Sequence, residues 1–336
     1  MSDFYTMGIE TSCDDSSVAI LKNEREVLVN LISSQIDIHA LFGGVVPEIA
    51  SRKHLEAINP LIEKALADAK LSYDDIDLIS VTKGPGLMGS LLVGISAAKG
   101  LSLATGAPLI GANHMQGHIC ANYLSNKDLK PPFISLVVSG GHTYLCKVNS
   151  YTDYEVVGRT LDDAAGESFD KVARKIGLGY PGGPKIDKLA NDGNKEAIDF
   201  PRVMLKKGSY DFSFSGLKTA VLNYANNMEQ KGLEFNKADL AASFQEAVVD
   251  VLVDKSMALL KETGMKTLAV SGGVAANSRL KGRLTEECEK ENIKFYHPST
   301  ILCTDNAAMI AMAGYLNYKN GDVDDNFMKV YPNLEL

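Results

Sequence analysis

Two stretches of the chain repeat one hydropathic pattern: an apolar run, a small polar turn and a second apolar run. The first covers residues 4–12 and 14–21, and the second covers residues 133–146. Alternation of this kind around a short turn predicts a β-hairpin. Each hairpin is followed by a further apolar run that enters a glycine-rich turn and then a helical pattern, at residues 78–86 and again at 267–273. A duplicated α/β lobe is the economical reading. Pro131-Pro132 stands directly before the second hairpin and marks the expected boundary. The predicted organisation is an N-terminal α/β lobe over 1–130 and a second α/β lobe over 131–318, with the tail from about 319 to 336 packing back on the first lobe. Within the second lobe, residues of about 150–265 read as largely helical, with a Gly/Pro cluster at 177–184. That is too long for a simple crossover, so it is expected to be an insertion carrying substrate contacts.

Charge changes the picture in one respect. With 42 acidic against 34 basic side chains and a formal net charge of -8, the chain as a whole opposes nonspecific contact with a polyanion. A nucleic acid would need a local basic stripe, for which Arg174, Lys175, Arg202, Lys206 and Lys207 are the candidates, or a helper subunit. The N-terminal residues lack a basic region followed by a long apolar stretch, so no secretory signal is expected. The longest apolar region, 91–112, is broken by Lys99 and several glycines and reads as a buried helix plus strand rather than a membrane span. Five cysteines without a CxxC pair argue against a disulfide framework or zinc ribbon, and a cytoplasmic location is expected.

Small residues after a buried strand let backbone N–H groups approach a phosphate, and a following helix adds the positive end of its dipole. The turns beginning Val137-Val138-Ser139-Gly140-Gly141 and Val270-Ser271-Gly272-Gly273 both have this character. Either alone could be a tight structural turn; paired in a duplicated frame, they predict a nucleotide cleft between the lobes. The Gly84-Pro85-Gly86-Leu87-Met88-Gly89-Ser90 turn lacks the lysine of a P-loop. It also has no acidic residue at the ribose position of a dinucleotide fold.

His114 and His118 are four residues apart, so on a helix they share a face and can hold one ion. A metalloprotease would need Glu after the first histidine, where Met115 stands. Asp305, at the start of a predicted helix, is the best third ligand, with an N-cap role as its ordinary alternative. A His/His/Asp set leaves open positions on a divalent ion, iron or zinc. His39, His54, His142 and His297 have no comparable spacing and are expected to be structural. Glu10, Asp14 and Asp15 crowd acidic groups into the first hairpin turn, and Asp170 leads toward the Gly/Pro cluster and Asp187.

The motifs Gly8-Ile9-Glu10-Thr11-Ser12-Cys13-Asp14-Asp15, Lys83-Gly84-Pro85-Gly86, His114/His118, Val138-Ser139-Gly140-Gly141-His142-Thr143, Asp162-Asp163-Ala164-Ala165-Gly166-Glu167, Phe214-Ser215-Gly216-Leu217-Lys218 and Ser271-Gly272-Gly273-Val274-Ala275-Ala276-Asn277 span essentially the whole chain. Together they resemble the universal tRNA N6-adenosine threonylcarbamoyltransferases, called TsaD in bacteria, of the actin, Hsp70 and sugar-kinase superfamily. Ser16 stands where the family usually has Thr, and Gln116 where bacterial members often carry Glu. The resemblance implies a metal, most readily iron, on His114, His118 and Asp305. It implies adenylate binding by Val137, Val138, Ser139, Gly140, Gly141, Asp170, Gly183, Asp187 and Asn277. It implies transfer of threonylcarbamoyl from L-threonylcarbamoyl-adenylate to adenosine 37 of tRNA, with a TsaB-like noncatalytic lobed protein and a small TsaE-like ATPase as partners and no membrane. Glu10 or Asp14 is the expected acceptor of the amine proton. An ATP phosphotransferase or chaperone-like ATPase of the same superfamily is the alternative.

Overall fold

The computed structural model describes residues 3–203 and 208–336. Lys206 and Lys207 of the expected basic stripe lie outside the described residues. The chain divides into two compact units, Met1–Lys130 with Pro298–Leu336, and Pro131–His297.

The first unit is built on a five-stranded sheet of order β3-β2-β1-β4-β5. The predicted hairpin is β1 (Tyr5–Glu10) and β2 (Asp15–Lys22), extended by β3 (Glu26–Ser34), all antiparallel. Helices α1 (Ile36–Ala40) and α2 (Pro47–Ala69) follow. Helix α2 has Pro at its first turn, where a missing N–H costs nothing. Strand β4 (Leu78–Gly84) runs parallel to β1, and α3 (Met88–Thr105) leads to β5 (Leu109–Asn113), parallel to β4. Helix α3 is apolar and long enough, by composition, to cross a membrane. Its inner residues Leu91, Val93, Ile95 and Ala98 are buried where it packs on α2 and β4, while Met88, Leu92 and Leu103 on its outer face are exposed. Helix α4 (His114–Ser125) starts where β5 ends.

The second unit repeats the frame. Strands β6 (Phe133–Val138), β7 (Thr143–Val148) and β8 (Tyr154–Arg159) form the antiparallel part. Helices α5 (Ala165–Lys175), α6 (Gly182–Ala190), α7 (Ser215–Gln230) and α8 (Lys237–Thr263) make up the helical insertion. Strand β9 (Thr267–Ser271) pairs parallel with β6, and after α9 (Ser278–Lys290), β10 (Lys294–Tyr296) pairs parallel with β9. The resulting order, β8-β7-β6-β9-β10, matches that of the first sheet strand for strand. Helix α8 begins with an Asn236 cap and ends on Gly264 in the left-handed conformation, the residue best suited to that geometry.

The expected second boundary is corrected. The second unit ends at His297 rather than at 318, because α10 (Thr300–Cys303) and α11 (Ala307–Lys319) belong to the first. Helix α11 is apolar nearly all round and packs on β1, β2, β4 and β5. Two glycines permit this approach: a Cβ on Gly8 would strike the Ala307 carbonyl, and one on Gly314 would strike Ser80. The tail from 319 onward packs on the same unit, as expected. Asp324 N–H bonds Leu109 O at 2.9 Å and Lys99 Nζ bonds Met328 O at 2.7 Å.

Candidate functional site

Asn113, the last residue of β5, caps α4. Its side-chain oxygen accepts from Met115 N at 2.8 Å and Gln116 N at 3.3 Å. This fixes His114 as the first helical residue and brings His118 one turn below it, with ring centroids 4.7 Å apart. Asp305 lies on the turn between α10 and α11. It is not the cap that its position suggested: Asn306 caps α11, accepting from Met309 N at 3.1 Å. The Asp305 carboxylate is thereby left to face the histidines, with Oδ1 3.3 Å from His114 Nε2 and 3.2 Å from His118 Nε2. Donor atoms of the three residues all lie within 4.8 Å of one another.

Both His118 ring nitrogens are buried without an aligned hydrogen bond among the described residues. The Nε2–Asp305 contact is close in distance but not in hydrogen-bond geometry. A buried imidazole nitrogen is costly to leave without a partner, and a cation held by Nε2 of both histidines and the carboxylate satisfies all three. The donor set therefore fits a divalent metal.

Glu10 lies beneath this triad. Its fully buried carboxylate meets His114 Nδ1 at 2.9 Å, accepts from the Thr82 hydroxyl at 2.6 Å and accepts from the Ser12 N–H. Ser12 Oγ is also 3.2 Å from His114 Nδ1. A proton on Nδ1 donated to Glu10 leaves the Nε2 lone pair directed at the ion position, the arrangement that orients histidine ligands. Burial alone would depress the His114 pKa, but the Glu10 and Asp305 carboxylates outweigh it and raise it well above the ordinary value. Burial likewise opposes ionisation of Glu10 and Asp305, yet His114 holds both lowered. His118 is shifted the other way, lowered chiefly by burial, which keeps the neutral form that binds metal.

Glu10 was expected to face a substrate. Instead it is sealed behind His114 and acts on that ring. Asp14 is half-buried on the β1–β2 turn. Its neighbour Asp15 is pushed up to about 7, first by burial and then by the surrounding carboxylates, against a hydrogen bond from Ser34. Gln116, the departure from family usage, turns away from the triad and bonds Asn317 on α11 at 2.7 Å. His39 and His54 are structural: the first bonds Gln35 and Val46, and the second ties Ser16 to the Cys13 carbonyl.

In the second unit the predicted adenylate residues gather at the carboxyl ends of the adjacent parallel strands β6 and β9. Val137 and Val138 end β6, and Ser139 closes a tight turn through its N–H to His142 O at 2.8 Å. Gly140 and Gly141 at its tip are exposed, with open space where a Cβ would stand. Helix α5 starts against this turn, since a Cβ on Gly166 would meet Ser139 O and Gly140. One turn on, Asp170 accepts from Gly182 N at 2.7 Å and holds the start of α6, where Gly183 faces open space. Asp187 accepts from Ser278 N and Oγ at 3.1 and 2.8 Å. Asn277 caps α9 through Leu280 N and donates to Gln245 at 2.7 Å. Gly272, at φ +91°, brings the β9 turn against the Val138 carbonyl.

Two members of the expected basic stripe are engaged locally. Arg202 pairs with Asp250 and Asp199, and Lys175 pairs with Glu229 at 2.7 Å. Sequence spacing did not reveal the Asn113 cap, the Thr82 and Ser12 contacts to Glu10, or the approach of the last residues to this end of β5.

A sequence profile of the family described as TsaD: tRNA N6-adenosine threonylcarbamoyltransferase matches residues 26–312. The enzyme of that name from Clostridium beijerinckii is 57% identical over 330 residues, covering 98% of this chain and 97% of its own. The one from Clostridioides difficile is 54% identical over 336 residues, covering 100% and 99%. The chain belongs to the tRNA N6-adenosine threonylcarbamoyltransferase family. Its members are acyltransferases that modify tRNA, and the motif resemblance is thereby established. Among solved structures, full-length HypF in its phosphate- and nucleotide-bound form aligns with TM-score 0.63 at 16% identity, over 94% of this chain and 46% of HypF. The chain thus spans about half of HypF. The activator of 2-hydroxyisocaproyl-CoA dehydratase from Clostridium difficile, with bound ADPNP, aligns with TM-score 0.54 at 15% identity, over 96% of this chain and 99% of the activator. At such identities the transferase shares with them the fold alone, that of duplicated actin-like α/β lobes.

Proposed function

We propose that this chain transfers the threonylcarbamoyl group from L-threonylcarbamoyl-adenylate to N6 of adenosine 37, in tRNAs that read codons beginning with A, releasing AMP. The observation that carries the reading is the triad of buried His114 and His118 with half-buried Asp305, in which the His118 ring nitrogens are orphaned among the described residues, a feature that neither a phosphotransferase nor an ATPase requires. His114 and His118 through Nε2, and Asp305 through its carboxylate, would hold the ion, iron in the first instance and zinc as the alternative. Such an ion supplies Lewis acidity toward substrate oxygens.

The protein's own groups do the rest. The exposed Gly140–Gly141 tip of the turn offers backbone N–H groups to the adenylate phosphate, and Asp170, Gly183, Asp187 and Asn277 border the same end of the sheet. N6 attacks the carbamoyl carbon, the bond from that carbon to the phosphate oxygen breaks, and AMP departs with the electron pair, so positioning is the main task. Because Glu10 is occupied by His114, Asp14 is the member of the pair left to accept the N6 proton.

The net charge of -8 and the paired state of Arg202 and Lys175 favour delivery of tRNA with help from a TsaB-like lobed protein and a TsaE-like ATPase, in the cytoplasm. The test is single-turnover transfer of labelled threonylcarbamoyl to unmodified tRNA with those partners present, comparing wild type, His114→Ala and Asp305→Ala. Product from wild type and none from the folded variants is expected. Absence of product from wild type, with ATP turnover independent of tRNA, moves the superfamily's phosphotransferase or ATPase chemistry to the front.

A further inference from the structure

Residues after α11 do more than cover the edge of the first sheet. Asp324 takes the free edge of β5: its N–H bonds Leu109 O, and its carboxylate accepts from Gly111 N at 2.8 Å. Met328 and Val330 then enter the core of that unit. Beyond them the chain crosses the carboxyl ends of β4 and β5 and its backbone makes three contacts there, two to backbone and one to a side chain. Tyr331 N bonds Lys83 O at 2.8 Å, Gly86 N bonds Pro332 O at 3.0 Å, and Asn113 Nδ2 donates to Glu335 O at 2.9 Å.

Two of these contacts lead to the metal triad by short routes. Asn113 has one amide, and its two ends do different things: the oxygen caps α4 while the nitrogen is held by the Glu335 carbonyl. The tail carbonyl therefore selects the amide orientation that presents oxygen to the first turn of the helix beginning with His114. On the other route, Gly86 is clamped between Pro332 and Ser12: a Cβ on it would strike Ser12, and Leu87 N bonds Ser12 O at 2.7 Å. Ser12 in turn contacts both Glu10 and His114 Nδ1. Gly84 lies so near the Tyr331 carbonyl that no side chain fits between them.

We infer that residues 331–336 form a strap that positions the metal ligands, acting through the Asn113 cap on His114 and through the Gly86–Ser12 contact on Glu10. The strap supplies no ligand of its own. It sets the direction of His114 as outer partners of metal-bound histidines do, and loss of such partners weakens metal affinity about 10- to 100-fold. The inference rests on the metal reading of the triad.

The experiment uses the full chain and a version ending at Val330, each with Asn113 or with Asn113→Asp. Aspartate keeps the cap, since it is itself a good N-cap acceptor, but it has no hydrogen to give Glu335 O. Co2+ is titrated into metal-free protein, and its d–d absorption reports affinity and ligand geometry, with circular dichroism as the check on folding. Wild type is expected to bind Co2+ with a tetrahedral or five-coordinate spectrum. Asn113→Asp is expected to weaken binding about tenfold and truncation at least as much, since it also removes the Pro332–Gly86 contact; the double variant is expected to lose little beyond truncation alone, because truncation already takes away the Glu335 carbonyl that Asn113 meets. Unchanged affinity and spectrum in the folded truncated chain would overturn the strap while leaving the metal site intact. So would independent effects that multiply in the double variant. Failure of wild type to bind Co2+ overturns the metal reading and the strap together. If truncation prevents folding, the full-length Asn113→Asp protein decides alone: wild-type affinity and spectrum would overturn the inference.

Discussion

Glu10→Gln separates two roles that one buried carboxylate could have. In the structure Glu10 receives three hydrogen bonds, from Ser12 N, Thr82 Oγ1 and His114 Nδ1. Glutamine preserves the shape but replaces one acceptor oxygen with a donor, so at least one neighbour meets a donor, and the charge opposite His114 is lost. Hydrogen bonds to a charged group contribute about 1.5–3 kcal/mol each. The part transmitted through His114 to a bound ion is the outer-partner effect, about 10- to 100-fold in affinity, or roughly 1.4–2.8 kcal/mol. Co2+ titration should therefore show Glu10→Gln weakened by that factor. Single-turnover transfer at saturating metal should recover most of the wild-type rate, since the carboxylate has no access to substrate. A general base behaves in the opposite way: affinity for Co2+ stays at the wild-type value while the rate at saturating metal collapses. That second pattern would refute the placement of Glu10 as a support for His114.

Two further outcomes follow from the second unit. Burial opposes ionisation of Glu246, but Arg279 above all, with Lys195, draws it down from the ordinary 4.5 to about 2; a depressed carboxylate contributes stability that is complete above 4.5 and disappears as the pH falls toward 2. Glu246→Gln, which leaves Arg279, Arg283 and Lys195 without their shared partner, should cost about 3 kcal/mol at neutral pH in denaturant unfolding, with the gap from wild type closing between pH 4.5 and 2; a gap independent of pH would refute the ion-pair account. Asn277→Ala should lose about 1 kcal/mol with the α9 cap, whereas Asn277→Asp keeps the cap and lets Gln245 turn its amide to donate. The aspartate variant should therefore melt as wild type does but bind adenylate more weakly by calorimetry, and unaltered adenylate affinity would remove Asn277 from the binding set.

Much of the fold was legible because it depends on local periodicity. The β1–β2 and β6–β7 hairpins announce themselves by alternation around short polar turns, and the glycine turns after β4 and β9 place the parallel strands. What periodicity could not provide was the destination of α11. A helix apolar nearly all round carries no direction of its own, and its place on β1 and β4 depends on Gly8 and Gly314, each unremarkable alone. The candidate metal ligands were legible for the same local reason: His114 and His118 have helical spacing, and Asp305 precedes a helix. The role of Asp305 was ambiguous because Asp and Asn are both good caps and Asp305-Asn306 offers one of each. The structure gives the cap to Asn306, and this small choice is what frees a carboxylate for the triad. The supports were illegible because they are nonlocal. Thr82 and Glu10 are separated by 72 residues, and Glu335 and Asn113 by 222. No window of sequence contains both partners, so only the closed sheet makes them neighbours. The two lobes share a strand order, yet among the described residues only the first has a helix entering at the end of its last parallel strand with histidines on its first two turns and a returning chain to meet them. Duplication accounts for the frame, and the residues that bear on chemistry lie where the copies diverge.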